Sequence, residues 1–465
     1  MKIKLFKSPY SYYFYDGNKN GMVEVNEAVY DMLEKIQKKT VSISEYANDE
    51  RIQKLMDAGY LCDEEKTILQ HPMTDFLDTI LSRNMEKVTI QLTQDCNFRC
   101  SYCPYTNGVG TQRKHEHKSI SLDMAKRCID FLKERCVDSM VVFVGFYGGE
   151  PLLEFNKLKE IVAYAEQVFD GRELVFTIST NGSLLTEEKI EYMIQHKINR
   201  LISIDGPEQI NDKNRVFADK KTGTFQAVIK QIENFYRRWP EEFHKTSVNM
   251  VMDPSNDFDE INALFVHYPM FEECDFQSTL IDDSGTETPN QYSENFIKKY
   301  EYHYFLSLLN VLRNEKYPAS IITQGHVKRM IDDLDREEET EFRGKYAVPS
   351  GPCIAGQSRA LITVNGDILP CERVNENSEA LRIGHIDTGF DLKKVSQLIN
   401  ISQLTSEDCQ NCWAFQKCNM CAKGVEKDGE LTASQRRNSC VNSLFGAEQQ
   451  LRTKILIEEC KGRRM

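Results

Sequence analysis

From Val88 to about residue 285, short β-like runs alternate with amphipathic helical stretches, which restricts the chain to layered α/β packing. The runs are "VTIQLTQ", "MVVFVGFYGG", "LVFTISTNG", "RLISIDGP", "SVNMVMD" and "DFQSTLIDD". Between them "LDMAKRCIDFLKERC", "FNKLKEIVAYAEQVF", "EEKIEYMIQH" and "FQAVIKQIENFYRRW" each carry one apolar stripe suited to covering a sheet. Six β/α units predict a parallel sheet curled into a partial (β/α)6 barrel. In such folds the chemistry collects at the carboxyl ends of the strands.

At the end of the first strand stand three cysteines, Cys96, Cys100 and Cys103, in "QLTQDCNFRCSYCPY". Of fifteen cysteines in the chain, seven more fall between 353 and 440. The opening "MKIKLFKSPYSYYFYDG" lacks the apolar core of a signal peptide, and no apolar stretch approaches the roughly 20 residues that span a bilayer. A soluble cytoplasmic protein is expected, where clustered cysteines read as metal or iron–sulfur ligands and not as disulfides. Lys+Arg of 58 against Asp+Glu of 71 gives a net charge of −13, which argues against nucleic acid and against anionic membrane surfaces.

The flanks read differently from the barrel. Residues 1–75 form a separate winged-helix-like module: "SYYFYDG" and "GMVEV" predict a strand pair. "NEAVYDMLEKIQ", capped by Asn26, and "DERIQKLMDAGYLCDEEK" predict helices. The barrel domain spans 85–290, and residues 291–345 predict a helical bridge whose acidic run "DDLDREEETE" reads as a solvated connector. Residues 346–465 are rich in cysteines and turns and end in a helix, "GAEQQLRTKILIEEC".

Three thiolates in one loop can hold three irons of a cube and leave the fourth without a protein ligand, open to a cofactor or substrate. A zinc site completed by His115 or His117 is the alternative. The spacing Cys-x3-Cys-x2-Cys after a strand resembles the signature of the radical S-adenosylmethionine (SAM) enzymes, in which SAM chelates that open iron. "YGGEPLL", "STNG" and "SIDGP" follow in the order seen in that family. The resemblance implies SAM contacts from Gly148, Gly149 and Glu150, from Ser179 and Asn181, from Ser203 and Asp205, and from Arg215. Tyr102 would lie by the adenine. It further implies that one electron from the cluster splits SAM into methionine and a 5′-deoxyadenosyl radical, the electron coming from a flavodoxin- or ferredoxin-type donor.

The later cysteines resemble the SPASM extension of radical SAM maturases. Cys353-x12-Gly366-x4-Cys371 and Cys409-x2-Cys412-x5-Cys418 fit its pattern, whereas Cys418-x2-Cys421 is one residue short. The resemblance implies two auxiliary [4Fe–4S] clusters, three clusters in all. Cys409, Cys412, Cys418 and Cys440 would hold the outer one. Cys353, Cys371 and Cys421 would hold the inner one, with an iron left open for a substrate thiolate. A pair of structural zinc knuckles is the alternative. Glu372 stands where related sulfatase-maturing enzymes carry an acidic base, and an ion pair beside Arg373 is its plainer reading. Cys62, Cys128, Cys136 and Cys274 read as core residues, and Cys460 as a possible extra ligand.

The N-terminal module resembles the precursor-recognition domain of peptide-modifying enzymes, which implies leader-peptide binding by residues 1–75 with the core peptide in the barrel. The ensemble is similar to the sactipeptide and ranthipeptide maturases, which form thioethers between cysteine sulfur and a core carbon. Formylglycine-generating sulfatase maturases and carbon–carbon crosslinking maturases are the enzyme alternatives. A peptide-binding or electron-transfer scaffold is the non-enzymatic one.

Overall fold

Three strands, not two, open the chain: β1 (Ile3–Lys7), β2 (Tyr12–Asp16) and β3 (Gly21–Val25) make an antiparallel sheet in that order. "IKLFK" supplies the added strand through apolar residues directed to both faces. Ile3 and Phe14 pack with Val29 and Leu33 of α1 (Glu27–Gln37) and Ile52 of α2 (Glu50–Asp57). Asn26 caps α1, its side chain accepting from Val29 N–H, as the sequence predicts. On the other face Phe6, Tyr13 and Tyr15 meet Leu451 and Ile455 near the C-terminus, with Trp413 against the cluster. In this computed structural model the described residues are 2–46, 48–62, 67–107, 110–283, 290–335, 345–349 and 352–462.

The barrel strands are β4 (Lys87–Thr93), β5 (Val141–Gly148), β6 (Glu173–Thr180), β7 (Ile198–Ser203), β8 (Ser247–Met252) and β9 (Asp275–Leu280). They pair in parallel in chain order. Helices α3 (Leu122–Arg135), α4 (Phe155–Val168), α5 (Glu187–Gln195), α6 (Phe225–Arg238) and α7 (Phe258–His267) cover the outer face. Period-two alternation explains the layering: Val88, Ile90 and Leu92 join the apolar core with Ile129 and Leu132. The intervening Thr89 faces inward, where a Cβ on Gly145 would meet Thr89 Oγ1 at 3.0 Å and Thr177 Oγ1 at 3.1 Å. The lumen is therefore polar.

One feature of the sheet lies beyond the expected six strands. β10 (Ala360–Ile362) pairs in parallel with β4, and β11 (Asp367–Leu369), β12 (Gly384–His385) and β13 (Gly389–Phe390) continue antiparallel, giving a ten-stranded sheet. The cysteine-rich C-terminal region thus shares the barrel sheet, and Cys371 follows a strand next but one to the strand that precedes Cys96. The bridge is helical as predicted, with α8 (Glu294–Arg313) and α9 (Ile321–Asp335); residues 336–341 of the acidic run lie outside the described residues. The final helix, α10 (Ala433–Gly462), starts thirteen residues before the expected Gly446. A single interior glycine costs a helix only about 1 kcal/mol, which tertiary packing offsets. Among the described residues no helix is long and apolar enough to cross a membrane.

Candidate active site

The three-cysteine loop leaves β4 and is held by the segment after β7. Arg99 N–H donates to Val216 O (2.8 Å), Ser101 N–H to Asn214 O (2.9 Å) and Ala218 N–H to Asn97 O (2.8 Å). Phe98 N–H points at Cys96 Sγ at 3.3 Å. From the other side Gly149 N–H donates to Thr93 O and Glu150 N–H to Asp95 O, both at 2.9 Å. A Cβ on Gly148 would stand 2.2 Å from Thr93 O, and one on Gly149 only 1.9 Å from Asp95 O. The glycine pair is thus required first by the loop backbone, and only then by whatever the loop binds.

A cavity of about 450 Å³ opens at the carboxyl ends of the strands. Cys96, Cys100, Cys103, Tyr102, Gly148, Gly149, Ser179, Asn181, Ser203 and Arg215 all border it. Two residues expected there do not. Glu150 is fully buried, and its carboxylate accepts from Thr180 Oγ1 (2.8 Å), Asn181 N–H (2.7 Å) and Leu152 N–H (3.0 Å). Asp205 is also buried, accepting from Tyr102 OH (2.6 Å), Arg215 Nε (2.8 Å) and Val251 N–H (3.0 Å). Both carboxylates orient lining residues and are not themselves among the residues that border the cavity. Burial forces this, because an isolated interior carboxylate must find donors.

Burial pushes the Cys96 and Cys100 thiols up to about 12, and that of Cys103 upward as well. They keep their protons until a metal displaces them, since ligation requires the thiolate. His115 borders the cavity with Nε2 at 4.0 Å from Cys103 Sγ, whereas His117 is exposed and faces Asp95 Oδ2 at 2.6 Å. Among the described residues no three His, Cys, Asp or Glu side chains converge on a single-ion position. The loop thiols surround a space instead of meeting at a point.

The C-terminal cysteines lie in different surroundings. Cys409, Cys412, Cys418 and Cys440 border a second cavity of about 520 Å³. The buried Arg436 guanidinium reaches Cys409 Sγ at 2.9 Å, and Ser443 Oγ reaches Cys418 Sγ at 3.6 Å. Cys353, Cys371 and Cys421 border neither cavity. Burial, and then the charge of Cys421, raises the pKa of Cys353; burial dominates at Cys371, with Cys421 a smaller contribution. Glu372 does border the barrel cavity, and Arg359 Nη1 stands 3.5 Å from its Oε1, so its ion pair is with Arg359 and not with Arg373. Cys128, Cys136 and Cys274 are core residues as predicted, Cys62 is half-buried, and Cys460 borders neither cavity.

The sequence profile of the Radical SAM superfamily matches residues 90–265. The barrel is a radical SAM domain. An uncharacterized protein of Methanocaldococcus jannaschii is 33% identical over 144 residues, 31% of this chain and 46% of that one, so this chain spans under half of that relative's length. The cysteine-type anaerobic sulfatase-maturating enzyme of Clostridium perfringens (strain ATCC 13124) is 25% identical over 351 residues, 70% of this chain and 84% of that one. The solved structure of anSMEcpe with bound AdoMet and Cp18Cys peptide superposes with a TM-score of 0.57 at 17% identity, covering 82% of this chain and 99% of that one. At that identity the likeness establishes the fold.

A radical SAM domain uses SAM with a [4Fe–4S] cluster, and the residues here fit that pair: three thiols around a space, a glycine floor, and the Arg215 guanidinium beside them. Tyr105, Tyr147, Asn249 and Lys423 also border the cavity and are absent from the expected set. Tyr147 adjoins the glycine motif and Lys423 lies two residues after Cys421, so both stand next to recognised signals. Tyr105 and Asn249 carry no such local mark.

Proposed function

We propose that the chain modifies a ribosomally made, cysteine-containing precursor peptide, joining a cysteine sulfur to a carbon of the same peptide as a thioether. One juxtaposition carries this reading: Glu372, next to Cys371, borders the cavity that Cys96, Cys100 and Cys103 line. Substrate in that cavity lies between the radical source and the C-terminal cysteines.

Bound at the loop, SAM and its cluster supply a carbon-centred radical able to remove a hydrogen atom from a substrate C–H bond. The chain's own residues do the rest. Tyr105 and Tyr147 wall the cavity with rings, so the substrate carbon is held and water kept away. Glu372, which borders the cavity, would take the proton of the substrate thiol. Per crosslink one C–H and one S–H bond break and one C–S bond forms. One hydrogen would leave as an atom to the SAM-derived radical and the other as a proton, and an auxiliary iron–sulfur cluster, if bound, would supply the one-electron acceptor the balance needs. Cys353, Cys371 and Cys421 would hold an inner auxiliary cluster, and Cys409, Cys412, Cys418 and Cys440 an outer one.

The module of residues 1–75 would capture the leader. Among the described residues β3 pairs only with β2 and leaves one edge for strand addition, so main-chain hydrogen bonds would supply affinity. Tethering then raises the core peptide's local concentration at the barrel. A flavodoxin- or ferredoxin-type protein would supply the reducing electron.

The 351-residue alignment with the sulfatase-maturating enzyme favours a second reading, oxidation of one cysteine or serine to formylglycine. Anaerobic incubation with SAM, dithionite and a candidate precursor, followed by mass spectrometry, separates the two. Loss of two hydrogens per crosslink with thiols no longer alkylatable supports the thioether. An aldehyde captured by a hydrazide probe assigns the formylglycine route instead.

A further inference from the structure

We infer that Glu376 is a positioning residue that pins the cavity-lining segment of Tyr105, Gln112 and Arg113 to the segment that follows Cys371 and Glu372, and thereby sets how tightly radical formation is coupled to substrate modification. Only the coupling rests on the peptide-modification reading.

Glu376 lies five residues beyond Cys371 and is 6% exposed. Its Oε1 accepts from Gln91 Nε2 (2.8 Å), Tyr105 OH (2.8 Å) and Arg113 Nη2 (3.0 Å), and its Oε2 accepts from Arg113 Nε (2.6 Å). The three partners are as deeply buried: Gln91 at 0%, Tyr105 at 5% and Arg113 at 8%. Four donor contacts fall on this carboxylate, three on Oε1 and one on Oε2, and Glu376 does not itself border the cavity. Its action must pass through its neighbours.

Those neighbours come from separate parts of the chain. Gln91 is in β4, and its Oε1 accepts from Val364 N–H (3.1 Å) just after β10. Tyr105 stands two residues past Cys103, with the Arg113 guanidinium 3.9 Å above its ring centre. Main-chain contacts reinforce the link: Glu376 N–H donates to Gln112 Oε1 (3.0 Å), and Asn377 Nδ2 donates to Thr111 O (2.9 Å). Tyr105, Gln112, Glu372 and Val374 all border the cavity, and Gln112 Nε2 reaches Val374 O at 3.5 Å. One carboxylate therefore holds two adjoining segments of the cavity lining in a common register.

A buried ion pair adds little net stability over an apolar pair, yet removing one partner strands the other charge. The register, more than stability, is what this pair supplies. Displacing a wall by an ångström lets the radical form while the substrate carbon is out of reach.

The test compares Glu376→Gln with the double variant Glu376→Gln, Arg113→Met, which removes the stranded guanidinium should the single variant fail to fold. Two readouts are taken on full-length, cluster-loaded protein: 5′-deoxyadenosine formed per modified peptide, and amide hydrogen exchange. Expected is a rise of ~10-fold in that ratio, with cleavage of SAM in the absence of peptide close to wild type. Protection should fall together in residues 105–107, 110–113 and 372–377 and stay unchanged in Leu122–Arg135. An unchanged ratio, or loss of protection in only one segment, overturns the inference. If wild-type protein cleaves SAM but modifies no peptide, the proposed function fails, and the paired loss of protection alone then decides the role of Glu376.

Discussion

The Tyr102 hydroxyl donates to Asp205 Oδ2 at 2.6 Å, joining the middle of the cysteine loop to the end of the fourth barrel strand. The same oxygen accepts from Arg215 Nε, so one carboxylate holds an aromatic ring and a guanidinium that both face the cofactor cavity. Asp205→Asn keeps the shape and leaves the buried guanidinium uncompensated. A loss of about 3–5 kcal/mol in anaerobic unfolding is expected, with weaker SAM binding. Unchanged denaturation and an unchanged SAM titration would contradict the arrangement.

Two glycines should respond in opposite directions. A methyl on Gly149 would collide with Asp95 O, whereas an added Cβ on Gly446, exposed in α10, meets nothing within 4 Å. Gly149→Ala should displace the cysteine loop and lower SAM cleavage by ~100-fold. Gly446→Ala should stabilise the protein by about 1 kcal/mol with cleavage unaltered. Thermal unfolding and deoxyadenosine yield check both.

The four cysteines that border the second cavity are proposed to hold one cluster. Cys440→Ser should lower the iron content by about four atoms per chain, one cluster's worth. Cys460→Ser, outside both proposed ligand sets, should leave iron unchanged. Iron and sulfide assays on anaerobically purified protein decide it.

Leader capture by strand addition has its own signature. Addition of precursor peptide should slow amide exchange in Gly21–Val25, the strand with an open edge. Slowing confined to the barrel would place the peptide's binding site elsewhere.

Legibility of the chain follows from how local each signal is. The six strands and four of their helices are readable from period, and the cysteine loop, the glycine pair and Asn181 from contiguous motifs. β10 escapes because three apolar residues, Ala360–Ile362, have no measurable period. The burial of Glu150 and Asp205 is not legible, because a motif names a residue without its surroundings. Glu376 is invisible: its partners Gln91 and Arg113 lie 285 and 263 residues away, and only packing makes that carboxylate special.

The most direct measurement is SAM cleavage by anaerobically purified protein under reduction. 5′-Deoxyadenosine should appear with wild-type protein, accompanied by a cluster spectrum that changes when SAM is added. Replacing Cys96, Cys100 and Cys103 with alanine should abolish both. Iron-free protein, or clusters whose spectrum ignores SAM and that yield no deoxyadenosine, would contradict an open iron in the loop of Cys96, Cys100 and Cys103.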